Sequence, residues 1–427
     1  MIKARFFLQV LLIAFLLSVF SLQVSGAAGD LSKTGEQAME AANQKNASVK
    51  NPDIKSESAI LIEQTRGQVL YQKQSSKRLP VPLVNKLMTA LIAIEKCSPD
   101  ASVTISKESA SIEGAALNLL GGEKFTVEEL LYALMLASAN DAANSLAEYA
   151  GGNVQKFVQM MNSKACELNM KNTNFTNPTG LPDSMQYSTA YDAALLVNYA
   201  LKNPVFRMYF SARAQPISGS GSARVLISQN TLFWSSDWVS GGKTDGSDKS
   251  AISSAIAGGK NNLNMISVIV NSSADKIAEE SIRLFNYGFD NFKTGLLVTK
   301  GQSLRSMQVA GRNINLISLD DVYYTYPRGE NYIKSVEFKV SGDIRLPLTK
   351  GQPLGKTRYI LKDDTAIDVD LYSDVEIFPP ENIVSKTIRK VTENRDILVL
   401  IIFLLFVEVC LIIYNISRAV KNRLSDR

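Results

Sequence analysis

The 427-residue chain contains no histidine, so a Ser-His-Asp triad, a Cys-His dyad and a His-ligated zinc site are all excluded. Any hydrolytic chemistry must take its general base from lysine, aspartate, glutamate or an unusual serine. Lysine can serve when burial and a neighbouring cation lower its pKa. A serine and a lysine three residues apart on a helix share one face, within hydrogen-bonding reach. The literal Ser273-Ala274-Asp275-Lys276 has that spacing, but it follows an expected strand in a polar loop and lacks the helical context. Three cysteines, Cys97, Cys166 and Cys410, are too few for a cysteine-rich zinc or iron–sulfur site or a disulfide framework. A formal charge of +5 is too small at this length to argue for a nucleic-acid partner.

Four stretches carry a resemblance. Leu79-Pro80-Val81-Pro82-Leu83-Val84-Asn85-Lys86-Leu87-Met88-Thr89-Ala90 is similar to the segment around the Ser-x-x-Lys motif of the serine D-alanyl-D-alanine carboxypeptidases (peptidase family S11), the low-molecular-weight penicillin-binding proteins. Ser138-Ala139-Asn140 resembles that family's Ser-x-Asn motif. Asn177-Pro178-Thr179-Gly180-Leu181, with Tyr187-Ser188-Thr189-Ala190-Tyr191-Asp192, resembles a further signature, and Gly242-Lys243-Thr244-Asp245-Gly246-Ser247 falls where the family has Lys-Thr-Gly. Order and spacing agree from about residue 55 to residue 290. The resemblance implies catalytic roles for Lys86 as base and Ser138 as proton relay. It implies substrate-binding roles for Asn140, Lys243 and Thr244, with backbone donors of the last strand near the oxyanion. It implies peptidoglycan stem peptides or β-lactams as ligands, and no metal or organic cofactor.

Two positions depart from the family pattern. Counting back from Lys86, the nucleophile position holds Leu83, which has no group able to form an acyl-enzyme. Asp245 replaces the glycine of the third motif, where a side chain crowds the strand and a carboxylate repels a terminal carboxylate. The surviving residues also admit a plainer reading, in which Lys86 and Ser138 form a buried hydrogen-bonded pair and Lys243 is a solvated charge at a strand end.

These residues need elements to hold them. Helical composition runs over Leu87–Glu95 and over Thr126–Tyr149, whose Val127, Leu130, Leu131, Leu134 and Met135 follow helical spacing. Ser58–Ile62 and Val69–Tyr71 read as two short strands about a turn, and Ala251–Ile256 with Met265–Val270 as a hairpin across residues 258–262. Strands at both ends with helices between them predict one sheet packed on a helical cluster. From about Thr299, short alternating runs between glycines predict a small β domain.

The termini carry their own signals. A basic start, an apolar run from Phe6 to Val19 and Ser25-Gly26-Ala27-Ala28 read as a secretory signal peptide. Near the other end, Ile397–Ile416 is apolar except for Glu408 and Asn415 and is followed by Arg418, Lys421, Arg423 and Arg427, the pattern of a single membrane span with a cytoplasmic flank. The expected order is signal peptide (1–27), polar linker (28–54), carboxypeptidase-like domain (55–292), small β domain (296–382), juxtamembrane linker (383–396), transmembrane helix (397–416) and cytoplasmic tail (417–427). The expected fold class is α/β, a penicillin-binding-protein/β-lactamase-like domain followed by a small β domain and one C-terminal transmembrane helix. The corresponding function is a membrane-anchored, extracytoplasmic carboxypeptidase homologue of a bacterial cell membrane, linked to peptidoglycan metabolism. It would be catalytically impaired, binding stem peptides or an unknown protein partner. The alternatives are an active serine-type enzyme that removes the terminal D-Ala from stem pentapeptides, and a purely structural module.

Overall fold

A computed structural model describes residues 51–220, 223–246, 251–340, 342, 344–379, 386, 393 and 395–425. The expected signal peptide and most of both linkers lie outside the described residues. The chain divides into two compact units, the first running to Leu296 and including Tyr323–Tyr332, the second comprising Leu297–Val322 and the chain from Ile333 onward.

The strands up to the end of the first unit are β1 (Ser58–Glu63), β2 (Val69–Lys73), β3 (Ser102–Thr104), β4 (Lys124–Thr126), β5 (Ala214–Ile217), β6 (Arg224–Ile227), β7 (Val239–Gly246), β8 (Ile252–Lys260), β9 (Leu263–Ser272) and β10 (Phe292–Val298). Its helices are α1 (Pro82–Lys96), α2 (Lys107–Ala110), α3 (Val127–Ala137), α4 (Asn140–Gly151), α5 (Val154–Glu167), α6 (Ala190–Ala200), α7 (Pro204–Ser211), α8 (Leu232–Ser235) and α9 (Ile277–Asn291). Five strands form an antiparallel sheet in the order β2-β1-β9-β8-β7, which leaves β7 at an edge. Side chains alternate across it. Ile60, Ile62, Val268 and Val270 join the main core with α1 and its neighbouring helices, whereas Leu61, Ile256 and Met265 meet Phe285 of α9 on the opposite face.

The helices differ from the sequence expectation in two instructive ways. α1 starts at Pro82, five residues before the expected Leu87, because proline at the first turn has its φ preset and no amide proton to leave unpaired. The single helix expected over Thr126–Tyr149 is two. α3 opens on a capping box between Thr126 and Glu129 and ends where Ser138 adopts a left-handed φ of 55°; α4 restarts at Asn140. The β8–β9 hairpin is also tighter than the expected loop over residues 258–262, since Asn261 and Asn262 take positive φ of 51° and 64°. Two such residues build the turn that suits the strand twist.

In the second unit, β11 (Ser303–Val309), β12 (Arg312–Ile317), β14 (Ile333–Val340), β15 (Pro353–Leu361) and β16 (Ala366–Ser373) form a sheet in the order β11-β12-β16-β15-β14; β13 (Val322–Pro327), which apart from Val322 belongs to the first unit, pairs with β10. Ile314, Leu316, Leu354 and Leu371 build a core of its own. Helix α10 (Arg395–Ser425) contains Leu398–Ser417, the one stretch among the described residues long and apolar enough to cross a membrane. All three cysteines are free thiols.

Candidate functional site

α1 presents its N-terminal turns between the sheet and the helical cluster. Leu83 is wholly buried in the main core. One turn on, Lys86 is 3% exposed and its Nζ lies 3.2 Å from Oδ1 and 3.0 Å from Oδ2 of Asp245 on β7. Asp245 Oδ1 also accepts from the amide of Gly246 at 3.0 Å. Lys86 and Asp245 thus form an ion pair inside the protein.

Lys243 sits two positions back on the same face of β7, because strand side chains alternate. Its Nζ donates to the Ser138 hydroxyl at 2.6 Å and to the carbonyls of Leu134 and Met135 at 2.9 and 3.2 Å. Those carbonyls belong to the last turn of α3, where orphaned acceptors attract a cation. The plainer expectation is therefore corrected on both counts. Lys86 and Ser138 do not bond each other, since Asp245 and Lys243 claim one apiece, and Lys243 is a buried group rather than a solvated strand end.

Burial pushes the Lys243 ammonium down to about 7, with the Asp245 carboxylate opposing and the Lys86 ammonium reinforcing the fall. Above that value the unfolded chain holds a proton that the folded chain has lost, so stability rises with pH up to the ordinary lysine range. Between pH 7 and 9.5 the gain is expected to reach about 3 kcal/mol. A Lys243→Met variant should lose this rise, read as a melting temperature that stays flat over that window while that of the native chain climbs.

Asn140 donates its amide to Glu113 O at 2.8 Å, and its backbone N–H donates to Ala115 O at 2.6 Å. Its side-chain oxygen is buried without a partner. Asp141 accepts from the amides of Leu117 and Leu119 at 3.2 and 3.0 Å. These bonds hold the 113–119 segment beside the site and supply what the break at Ser138 gives up in helix. The 177–181 signature forms the facing wall. Asn177 accepts from Gly180 N at 2.7 Å and from the Thr179 hydroxyl at 3.0 Å, and Thr89 of α1 donates to Pro178 O at 2.9 Å. Gly180 has a φ of 85°, and a Cβ there would lie 2.4 Å from Pro82 Cα, so only glycine permits this contact.

Lys86, Asn140, Asp245, Gly114 and Gly180 line one cavity of about 270 Å3. Leu83, Ser138 and Lys243 are buried around the same elements but are not among its lining residues. Thr244 is not brought to this cavity. As the intervening residue on β7 it lies on the other face, lining a different cavity with Ile252 and Ile277. Ser273 and Lys276 occupy the turn into α9, away from α1. Sequence reasoning missed Asp141 as an anchor of the wall and Asp245 as the partner of Lys86. The second had a signal, an unpaired lysine and an intruding carboxylate within two aligned motifs.

Comparison with known proteins is consistent along the chain. The profile of the D-alanyl-D-alanine carboxypeptidase family matches residues 45–274, and that of the C-terminal domain of penicillin-binding protein 5 matches residues 292–377. The D-alanyl-D-alanine carboxypeptidase DacF of Bacillus subtilis is 32% identical over 319 residues, covering 72% of this chain and 81% of the relative. DacA of Escherichia coli is 29% identical, covering 74% and 81%. Among solved structures, penicillin-binding protein 5 of Haemophilus influenzae superposes with a TM-score of 0.64 at 24% identity, covering 77% of this chain and 99% of that one. Penicillin-binding protein 3 of Streptococcus pneumoniae gives 0.67 at 22%, covering 76% and 99%. The fold is the penicillin-binding-protein/β-lactamase-like domain followed by a β domain, and the chain belongs to the D-alanyl-D-alanine carboxypeptidase family, peptidase family S11.

Proposed function

We propose that this protein is a non-acylating member of its family, exported and held to the membrane by α10, which engages peptidoglycan stem peptides without cleaving them. The observation that carries this reading is the buried Lys86–Asp245 pair beside the aliphatic Leu83. A nucleophile needs a hydroxyl at the head of α1 and a lysine free to take its proton. Here the hydroxyl is absent and the lysine is committed to a carboxylate. Removing a covalent nucleophile costs several orders of magnitude in rate.

Binding is a separate matter. The cavity next to Asn140 persists, and a second cavity of about 490 Å3 shares Pro82, Gly180 and Pro182 with it. Together they offer room for an extended peptide end, with the unpartnered Asn140 oxygen as an acceptor for a peptide N–H. The native protein is expected to remain unlabelled by a fluorescent penicillin and to release no D-alanine from a pentapeptide ending in D-Ala-D-Ala. The same peptide should bind reversibly in equilibrium dialysis. Covalent labelling of the native protein would overturn the reading.

One observation favours an active alternative. Ser138 lies 2.6 Å from Lys243, whose pKa is pushed down to about 7, the proximity and basicity a Ser–Lys dyad requires. Against it, Ser138 is 1% exposed and outside the cavity lining. A label on the native chain that vanishes in Ser138→Ala would establish that alternative.

A further inference from the structure

The reverse face of β7 carries a second recess, built independently of the Lys86 site. It has a volume of about 190 Å3 and is lined by Leu232 and Asn230 from the segment before β7, by Thr244, by Ile252 and Ile256 of β8, and by the start of α9 through Ile277. A fully enclosed cavity of about 150 Å3 with apolar walls takes up benzene, so this recess suits a molecule slightly larger than that.

Its one conspicuous polar feature is Asn230, 2% exposed, whose side-chain nitrogen has no hydrogen-bond partner. The orientation of this amide is set by its other end, because Oδ1 accepts from Leu232 N at 3.2 Å. The orphan is therefore a donor. By contrast, the nearby hydroxyls have somewhere to go: Ser281 Oγ donates to Ile277 O at 2.8 Å, and Ser254 Oγ lies 3.4 Å from Ser281 Oγ. Gly242 keeps the amide clear, since a Cβ there would lie 2.6 Å from its nitrogen and 2.6 Å from Ile256 Cδ1. Buried donors without acceptors are rare in native proteins and costly to maintain. A mostly apolar recess with a buried, unpartnered donor at its wall is the chemistry of a small-molecule site.

We infer that this recess binds a compact, largely apolar molecule bearing one carbonyl-type acceptor, which accepts a hydrogen bond from Asn230 while its body packs against Ile252, Ile256 and Ile277. The site does not depend on whether the opposite face of β7 acylates or binds peptide.

Benzamide is a suitable probe, with benzylamine as a matched body that offers an ammonium donor in place of the acceptor. Hydrogen exchange of the full chain, read by mass spectrometry, should slow at least threefold in peptides spanning residues 228–235 and 274–282 as benzamide saturates. Peptides from α1 should be unaffected. Benzylamine should need at least fivefold higher concentration for the same protection. Asn230→Asp keeps the oxygen that caps Leu232 and replaces the donor by an acceptor, and Ala278→Leu fills the recess without touching the amide; each should abolish benzamide protection. Three results would overturn the site: no saturable protection by benzamide in the native chain, equal protection by benzylamine, or undiminished protection in Ala278→Leu. The first two need no variant, so misfolding of either substitution cannot shelter the proposal.

Discussion

A Leu83→Ser, Asp245→Gly double variant is expected to be covalently labelled by fluorescent penicillin, with Leu83→Ser alone staying within about tenfold of background. Placing a hydroxyl at the head of α1 supplies an attacking atom one turn from Lys86. It does not supply a base, because Lys86 Nζ still sits 3.0 Å from the Asp245 carboxylate, held in an ion pair with it. Removing that carboxylate leaves a lysine 3% exposed beside a second buried lysine. With its carboxylate partner gone, Lys86 Nζ is released toward a hydroxyl one turn away on α1, the pairing a Ser–Lys nucleophile needs. The gain of the double variant over the single one should be at least 100-fold in labelling rate, on the order of what general base catalysis contributes. Leu83→Ser also removes a fully buried side chain from the main core, a change worth about 2–5 kcal/mol, so labelling must be read beside a melting curve. A folded double variant that stays unlabelled would show that the cleft is closed by more than these two residues, and would move the protein toward a structural role. Strong labelling of Leu83→Ser alone would show that the ion pair does not hold Lys86 back.

Much of the scaffold was legible because it rests on local pattern. The β1–β2 hairpin, the β8–β9 strands and the apolar stripe of α3 all follow from residue spacing. The break at Ser138 was not, because the sequence on either side remains a good helix former. What interrupts it is tertiary, namely the bonds of Asn140 and Asp141 to the backbone between residues 113 and 119. The motif residues stand out by order and spacing, yet their grouping is only partly readable. Lys243 and Asp245 share a face of β7 and Thr244 does not, which strand alternation alone would have said. The pairing of Lys86 with Asp245 spans 159 positions, beyond the reach of any local rule. It emerges only when Leu83 and Asp245 are considered together: on the proposed non-acylating reading Lys86 has no serine to serve, and the Asp245 carboxylate lies within hydrogen-bonding reach of its Nζ.

That pairing has a thermodynamic signature. Asp245→Ala should destabilise the protein by about 3–5 kcal/mol, since it leaves a buried ammonium uncompensated. For a unit of this size the loss corresponds to roughly 10 °C in melting temperature. Lys86→Met combined with Asp245→Leu should instead be close to neutral, because both desolvation penalties vanish together and apolar packing takes their place. The non-additivity of the cycle, completed by Lys86→Met and Asp245→Leu as single variants, is the quantity that isolates the pair. If Asp245→Ala melts within about 1 °C of the native chain, the carboxylate is not what stabilises Lys86. The two experiments then bear on each other. The same uncompensated lysine that lowers stability in Asp245→Ala is the one that the introduced serine would use, so the variants that lose most stability at position 245 should be those in which Leu83→Ser gains most acylation.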